Sequence, residues 1–208
     1  MPTLQVFQPP LVAILRGLEP ERAADVGQVL FDAGFRILEV PLNRPGALDC
    51  IASLAACAPA DALIGGGTML THADADAVHA AGGRLMVAPN CNPAVIRHAV
   101  ARGLLTAPGI ATATEAFAAL DAGAHALKLF PAEALGVGGM KALISVLPAG
   151  TPLWPVGGVT PQSIGPWLRA GATGFGIGSQ LFQPGMSLQA VGSAAREFLA
   201  AWADAQPR

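Results

Sequence analysis

The stretch Asp121-Ala122-Gly123-Ala124-His125-Ala126-Leu127-Lys128-Leu129-Phe130-Pro131 holds both halves of the unit from which this chain is built. Its first three residues close an alanine-rich helical pattern, and glycine fits the left-handed position just past a helix C-terminus. Its last seven residues read as a short, mostly apolar strand ended by proline. The same helix ending recurs at Asp32-Ala33-Gly34, Ala80-Ala81-Gly82, Ala101-Arg102-Gly103 and Arg169-Ala170-Gly171. Neighbouring endings are separated by one strand–helix pair or two, so the chain reads as a series of βα units.

Outward from that stretch, apolar runs place eight strands near 11–16, 36–40, 62–65, 84–88, 104–107, 124–129, 152–156 and 174–178. Helical patterns follow them near 20–33, 45–57, 72–81, 93–101, 114–122, 138–147, 161–170 and 187–203. Thr71, Asn92 and Thr160 stand where a polar N-cap belongs, the last two directly before proline. Eight consecutive βα units predict an α/β fold, a single-domain (β/α)8 TIM barrel over 1–208 with residues 1–9 as a lead-in. A doubly wound open sheet is the alternative, disfavoured by the even units and the lack of a long linker.

Composition narrows the function. The chain is 52% hydrophobic and 12% charged, with 25 Gly and 18 Pro, as suits much buried strand and many tight turns. A net charge of -2 without a basic block, and the absence of Tyr, argue against nucleic acid as a partner. No apolar run reaches the about 18 residues of a membrane span, and no signal peptide is evident at Met1-Pro2-Thr3-Leu4-Gln5. Cys50, Cys57 and Cys91 form no CxxC pair, which suggests helix packing and a reducing cytoplasm. His72, His79, His98 and His125 lack ligand spacing, so no metal is expected.

The chemistry is expected at the C-terminal ends of the strands. Lys128 is one of only 2 lysines against 10 arginines, and it interrupts an apolar strand. Burial would favour its neutral amine, the form that attacks carbonyls; the alternative is a strand-end lysine reaching to water. Glu39 is a carboxylate in a similarly apolar run, where leaving it unpaired is costly; the alternatives are an ion pair or a rim position. Arg16, Thr68 and Asn90 fall at the ends of strands one, three and four, so that five polar groups aim at one mouth. Gly157-Gly158 and Gly178-Ser179 follow strands seven and eight, where backbone N–H groups of such barrels often hold phosphate. The implied ligand is a small phosphorylated carbonyl compound. A phospho-sugar isomerase or epimerase, or a non-catalytic phospho-sugar binder, would use a similar frame.

Over about 11–184 the chain closely resembles the 2-dehydro-3-deoxy-phosphogluconate/phosphogalactonate aldolases, class I pyruvate aldolases with a small TIM barrel. The likeness rests on Ala13-Ile14-Leu15-Arg16-Gly17, Leu38-Glu39-Val40-Pro41-Leu42-Asn43, Gly65-Gly66-Gly67-Thr68, Ala88-Pro89-Asn90, Lys128-Leu129-Phe130-Pro131, Val156-Gly157-Gly158-Val159 and Gly178-Ser179. The resemblance implies that Lys128 forms the Schiff base and Glu39 is the general base. It gives the substrate carboxylate to Arg16 and Thr68, and the phosphate to Gly157, Gly158, Val159, Gly178 and Ser179. Gly67, Pro89, Asn90, Asn43, Phe130, Pro131 and Val156 would complete the pocket. It further implies a cytoplasmic homotrimer without a cofactor, acting on a phosphorylated sugar acid. Two branches differ at the C4 hydroxyl. Arg16, Pro41-Leu42-Asn43 and Val156 match the galactonate branch, whereas Phe130-Pro131-Ala132-Glu133-Ala134 looks closer to the gluconate branch. Gly66 and Cys91-Asn92-Pro93 depart from the patterns of both. The expected substrate is the galactonate epimer, with the gluconate epimer as the alternative.

Overall fold

In the computed structural model, which describes residue 4 and residues 7–206, strands and helices alternate except where two short strands follow one another around Pro108. The order is β1 (Leu11–Ile14), α1 (Ala23–Ala33), β2 (Ile37–Pro41), α2 (Ala47–Cys57), β3 (Leu63–Gly67), α3 (His72–Ala80), β4 (Leu85–Val87) and α4 (Pro93–Ala101). It continues with β5 (Leu105–Ala107), β6 (Gly109–Ile110), α5 (Ala113–Asp121), β7 (Leu127–Leu129), α6 (Ala132–Ile144), β8 (Leu153–Pro155), α7 (Pro161–Arg169), β9 (Phe175–Ile177) and α8 (Leu188–Ala205). Much of the expected lead-in, residues 1–3, 5 and 6, lies outside the described residues; Leu4 is buried.

Every strand pairing is parallel. The strands form a six-stranded sheet in the order β5-β4-β3-β2-β1-β9 and a three-stranded sheet in the order β6-β7-β8. The expectation of a single closed ladder therefore meets two sheets. The run expected at 104–107 continues past its predicted end and divides at Pro108, which has no N–H to give a ladder. Backbone bonds nonetheless cross this seam: the N–H groups of His125 and Ala126 donate to Thr106 O at 3.0 and 3.1 Å. At the other seam, Thr173 N–H donates to Leu153 O at 3.1 Å, and Val156 bridges to Gly176.

The helix endings have a common cause. Gly34, Gly82, Gly103, Gly123 and Gly171 all adopt positive φ, between 80° and 117°, which a side chain would make costly. Helix starts are capped: Thr71 Oγ1 accepts from Asp74 N–H at 3.1 Å, and Asn92 Oδ1 accepts from Ala94 N–H at the same distance. One helix differs from its expected span. α6 begins at Ala132 rather than near 138, with a non-helical kink at Gly136 (φ 65°, ψ 174°). Cys50 is buried on α2, while Cys57 on the same helix is exposed.

Both faces of the strands are covered, as parallel sheets require. Ala13, Leu38 and Met86 pack toward the helices, whereas Val12, Ile37, Leu85 and Trp154 form a second apolar cluster on the opposite face. Glu39 and Lys128 are buried at the C-terminal side of that second cluster, and Thr106 is the other buried polar residue among those described.

Candidate active site

Strands β2 and β7 carry the two groups that burial makes chemically unusual. Glu39 is 2% exposed and Lys128 is 7% exposed. Burial pushes the Glu39 carboxyl above its ordinary range, against the opposing pull of the Lys128 and Arg16 charges. Burial likewise pushes the Lys128 ammonium down; the Glu39 charge works against this and the Arg16 charge adds to it. Desolvation dominates in both cases, so the amine is moved toward the nucleophilic form and the carboxylate toward a proton-accepting strength. Glu39 Oε2, which lies against Gly67, is a buried acceptor with no hydrogen-bond partner among the described residues. The Lys128 ammonium lies 4.9 Å from the centroid of the Phe130 ring, whose face favours a cation.

Glycine makes room for this arrangement. A Cβ on Gly67, at the end of β3, would collide with the Glu39 carboxylate. The next residue, Thr68, has φ 54°, a left-handed conformation that costs a non-glycine residue about 1–2 kcal/mol. Such strain points to a position whose side chain is being aimed. Arg16, two residues beyond β1, donates from Nη1 to Asn43 Oδ1 at 3.0 Å.

The cavity bounded by Glu39 and Lys128 is only about 10 Å³, with walls from Val12, Val87, Ala107 and Trp154. Above it a cleft of about 440 Å³ opens, and Ile14, Val156 and Gly176 wall both spaces. A ligand of several carbons has room in the cleft and not in the lower cavity. Among the described residues, Arg16 is the one charged side chain in the lining of this cleft.

The structure brings Arg16, Phe130, Val156, Gly157, Gly158, Val159, Gly178 and Ser179 together around the cleft, and Glu39 and Lys128 beneath it. Gly67, Thr68, Pro89, Asn90, Pro131 and Asn43 stand outside the lining. Gly67 and Asn43 reach the site through Glu39 and Arg16, and Pro89 packs its backbone against Gly109. Asn90 and Pro131 are exposed. Sequence reasoning missed the rim formed by Gln180, Phe182, Gln183 and Pro184, and the dry floor supplied by Trp154. An apolar Trp in a strand carries no distinguishing signal, and neither do two glutamines in a loop. Among the described residues, no group of three His, Cys, Asp or Glu is placed to hold a metal ion.

The family model for KDPG and KHG aldolases matches residues 5–192. The chain belongs to the KDPG and KHG aldolase family. It is a carbon–carbon lyase of the class I pyruvate aldolase type. It is 46% identical over 197 residues to 2-dehydro-3-deoxy-6-phosphogalactonate aldolase of Escherichia coli (strain K12), covering 94% of this chain and 96% of the relative. It is also 46% identical over 199 residues to a probable enzyme of the same name from Rhizobium meliloti (strain 1021), covering 96% of this chain and 94% of that one. A native KDPGal structure superposes with a TM-score of 0.93 at 43% identity, covering 95% of this chain and 96% of that chain. No helix among the described residues is long and apolar enough to cross a membrane.

Proposed function

We propose that this aldolase cleaves 2-dehydro-3-deoxy-6-phosphogalactonate to pyruvate and D-glyceraldehyde 3-phosphate through a Schiff base on Lys128. The observation that carries the residue assignment is the buried Lys128 amine, electrostatically coupled to an equally buried, unpartnered Glu39. The lysine attacks the C2 ketone, and loss of water gives an iminium that serves as the electron sink. Glu39, acting through a water, takes the C4 hydroxyl proton while the C3–C4 bond breaks and its electrons pass to the iminium. Glyceraldehyde 3-phosphate leaves. The remaining enamine is protonated at C3 with the help of Glu39, and hydrolysis frees pyruvate and the lysine.

Arg16, steadied by Asn43, takes the substrate carboxylate with Thr68, a planar guanidinium being suited to that group. Phe130 and Val156, which line the cleft, wall the reacting carbons, and Gly67 shapes the pocket through the Glu39 carboxylate. Gly157, Gly158, Val159, Gly178 and Ser179 hold the phosphate. This is supported by their backbones: the N–H groups of Gly158, Val159 and Ser179 make no backbone hydrogen bond among the described residues and flank the cleft. The two parallel sheets and their surrounding helices are read as one (β/α)8 barrel domain, an inference supported by the backbone bonds across both seams. A homotrimer in the cytoplasm is part of the same reading.

Borohydride reduction in the presence of pyruvate, followed by peptide mass spectrometry, tests the proposal. An adduct on Lys128 rather than on Lys141, which is exposed, is the expected result. No adduct, under conditions that trap a known class I enzyme, overturns it. Parallel assays with the galactonate and gluconate epimers decide between the two substrates.

A further inference from the structure

The loop after β9 contains a hydrogen bond that the reaction scheme leaves unused. Gln183 Nε2 donates to Ser179 O at 3.0 Å, and both residues line the cleft. The turn between them is held from within, because the N–H groups of Leu181 and Phe182 both return to Gly178 O, at 2.8 and 3.0 Å. That leaves the N–H groups of Ser179 and Gln180 with no backbone partner among the described residues. In a planar trans peptide the carbonyl and the following N–H point in opposite directions. Fixing Ser179 O toward Gln183 therefore fixes the direction of the Gln180 N–H. Gln183 is itself held, its own N–H lying 3.1 Å from Met186 Sδ while Arg22 ties down Met186 O. The next residue, Pro184, rests against Gly17, where an added Cβ would lie 2.9 Å from its ring.

We infer that Gln183 is a positioning residue for the phosphate group: it sets the Ser179–Gln180 peptide so that the Gln180 N–H joins the glycine-loop N–H groups around the anion. The inference rests on the assignment of this cleft to the phosphate, and adds to it Gln180 as a backbone ligand and Gln183 as the residue that aims it. No bond is made or broken by Gln183, so its effect belongs to binding of the phosphorylated end alone.

The test compares 2-dehydro-3-deoxy-6-phosphogalactonate with its dephosphorylated counterpart in the wild type, Gln183→Ala and Gln183→Glu. For Gln183→Ala we expect KM for the phosphorylated substrate to rise about tenfold, the scale of one polar contact. Its kcat, its kcat/KM for the dephosphorylated substrate and its melting temperature should stay within about twofold and a few degrees of wild type. Gln183→Glu loses the donor and adds a charge of the same sign as the phosphate, so its KM should rise further and more steeply at low ionic strength. Equal losses on both substrates, or an unchanged KM, overturn the positioning role while leaving the cleft assignment intact. A wild-type enzyme that does not distinguish the two substrates overturns both.

Discussion

The carboxylate of Glu39 occupies the space that a side chain at Gly67 would need. The two residues sit on adjacent strands near the end of a parallel ladder, in which Glu39 pairs with Gly65 and Pro41 with Gly67. Glycine at 67 is thus a condition for the direction of Glu39, and through it for the distance between the Glu39 carboxylate and the Lys128 amine.

Gly67→Ala should fold, because the obstruction is the end of a side chain, the Glu39 carboxylate, rather than the backbone. Its turnover should fall on the order of a hundredfold, the cost of moving a catalytic group by about an ångström. Trapping of pyruvate on Lys128 should persist, since Lys128 is carried by β7 in the other sheet and its own backbone is untouched. Steady-state kinetics beside borohydride trapping check this, and full turnover in Gly67→Ala would show that Glu39 needs no such placement.

The buried pair also predicts a pH effect. The Glu39 charge raises the Lys128 pKa, so Glu39→Gln removes the influence that opposes burial, and the lysine should lose its proton at lower pH than in wild type. The ascending limb of pyruvate trapping against pH should move to lower pH, while turnover falls by about 10²–10⁴ with the loss of the base. A limb that moves upward would mean that the carboxylate acts on the lysine in another way.

His125 offers a prediction about stability alone. It lies before β7, at the end of the strand away from the cleft, and its Nδ1 accepts from Thr106 N–H at 3.2 Å. Burial lowers its pKa below the ordinary 6.5. A group whose pKa is depressed by folding contributes stability that is present above the unfolded value and is lost as pH falls through the folded one. Melting temperature should therefore decline from pH 7 toward pH 5 more steeply in wild type than in His125→Asn, whose Oδ1 can replace the accepting nitrogen without titrating. Parallel slopes would remove His125 as the source.

Much of the architecture was legible because it rests on local chemistry. The glycines at 34, 82, 103, 123 and 171 end helices for a reason visible in any short window. Lys128 and Glu39 stood out because each breaks an apolar run in a chain that places few charges anywhere. What could not be read depends on contacts across the fold. No spacing brings Gly67 to Glu39 or Asn43 to Arg16. Thr68 gives no warning that it will take φ 54°, since that conformation is imposed by its surroundings. The first turn of α6 was hidden by three glycines at 136, 138 and 139, of which only Gly136 breaks the helical path.

The order of the larger sheet has a consequence for how the chain is made. Strands β1 to β4 each pair with the strand synthesised next, but Leu11 of β1 must also pair with Phe175 of β9. One edge of β1 therefore stays open while the intervening residues leave the ribosome, an apolar strand with unpaired backbone available to any neighbouring chain. A nascent or truncated polypeptide lacking β9 carries Glu39, Lys128 and Arg16, yet also an exposed template for aggregation. Its safe arrival at the folded state depends on the last strand being delivered.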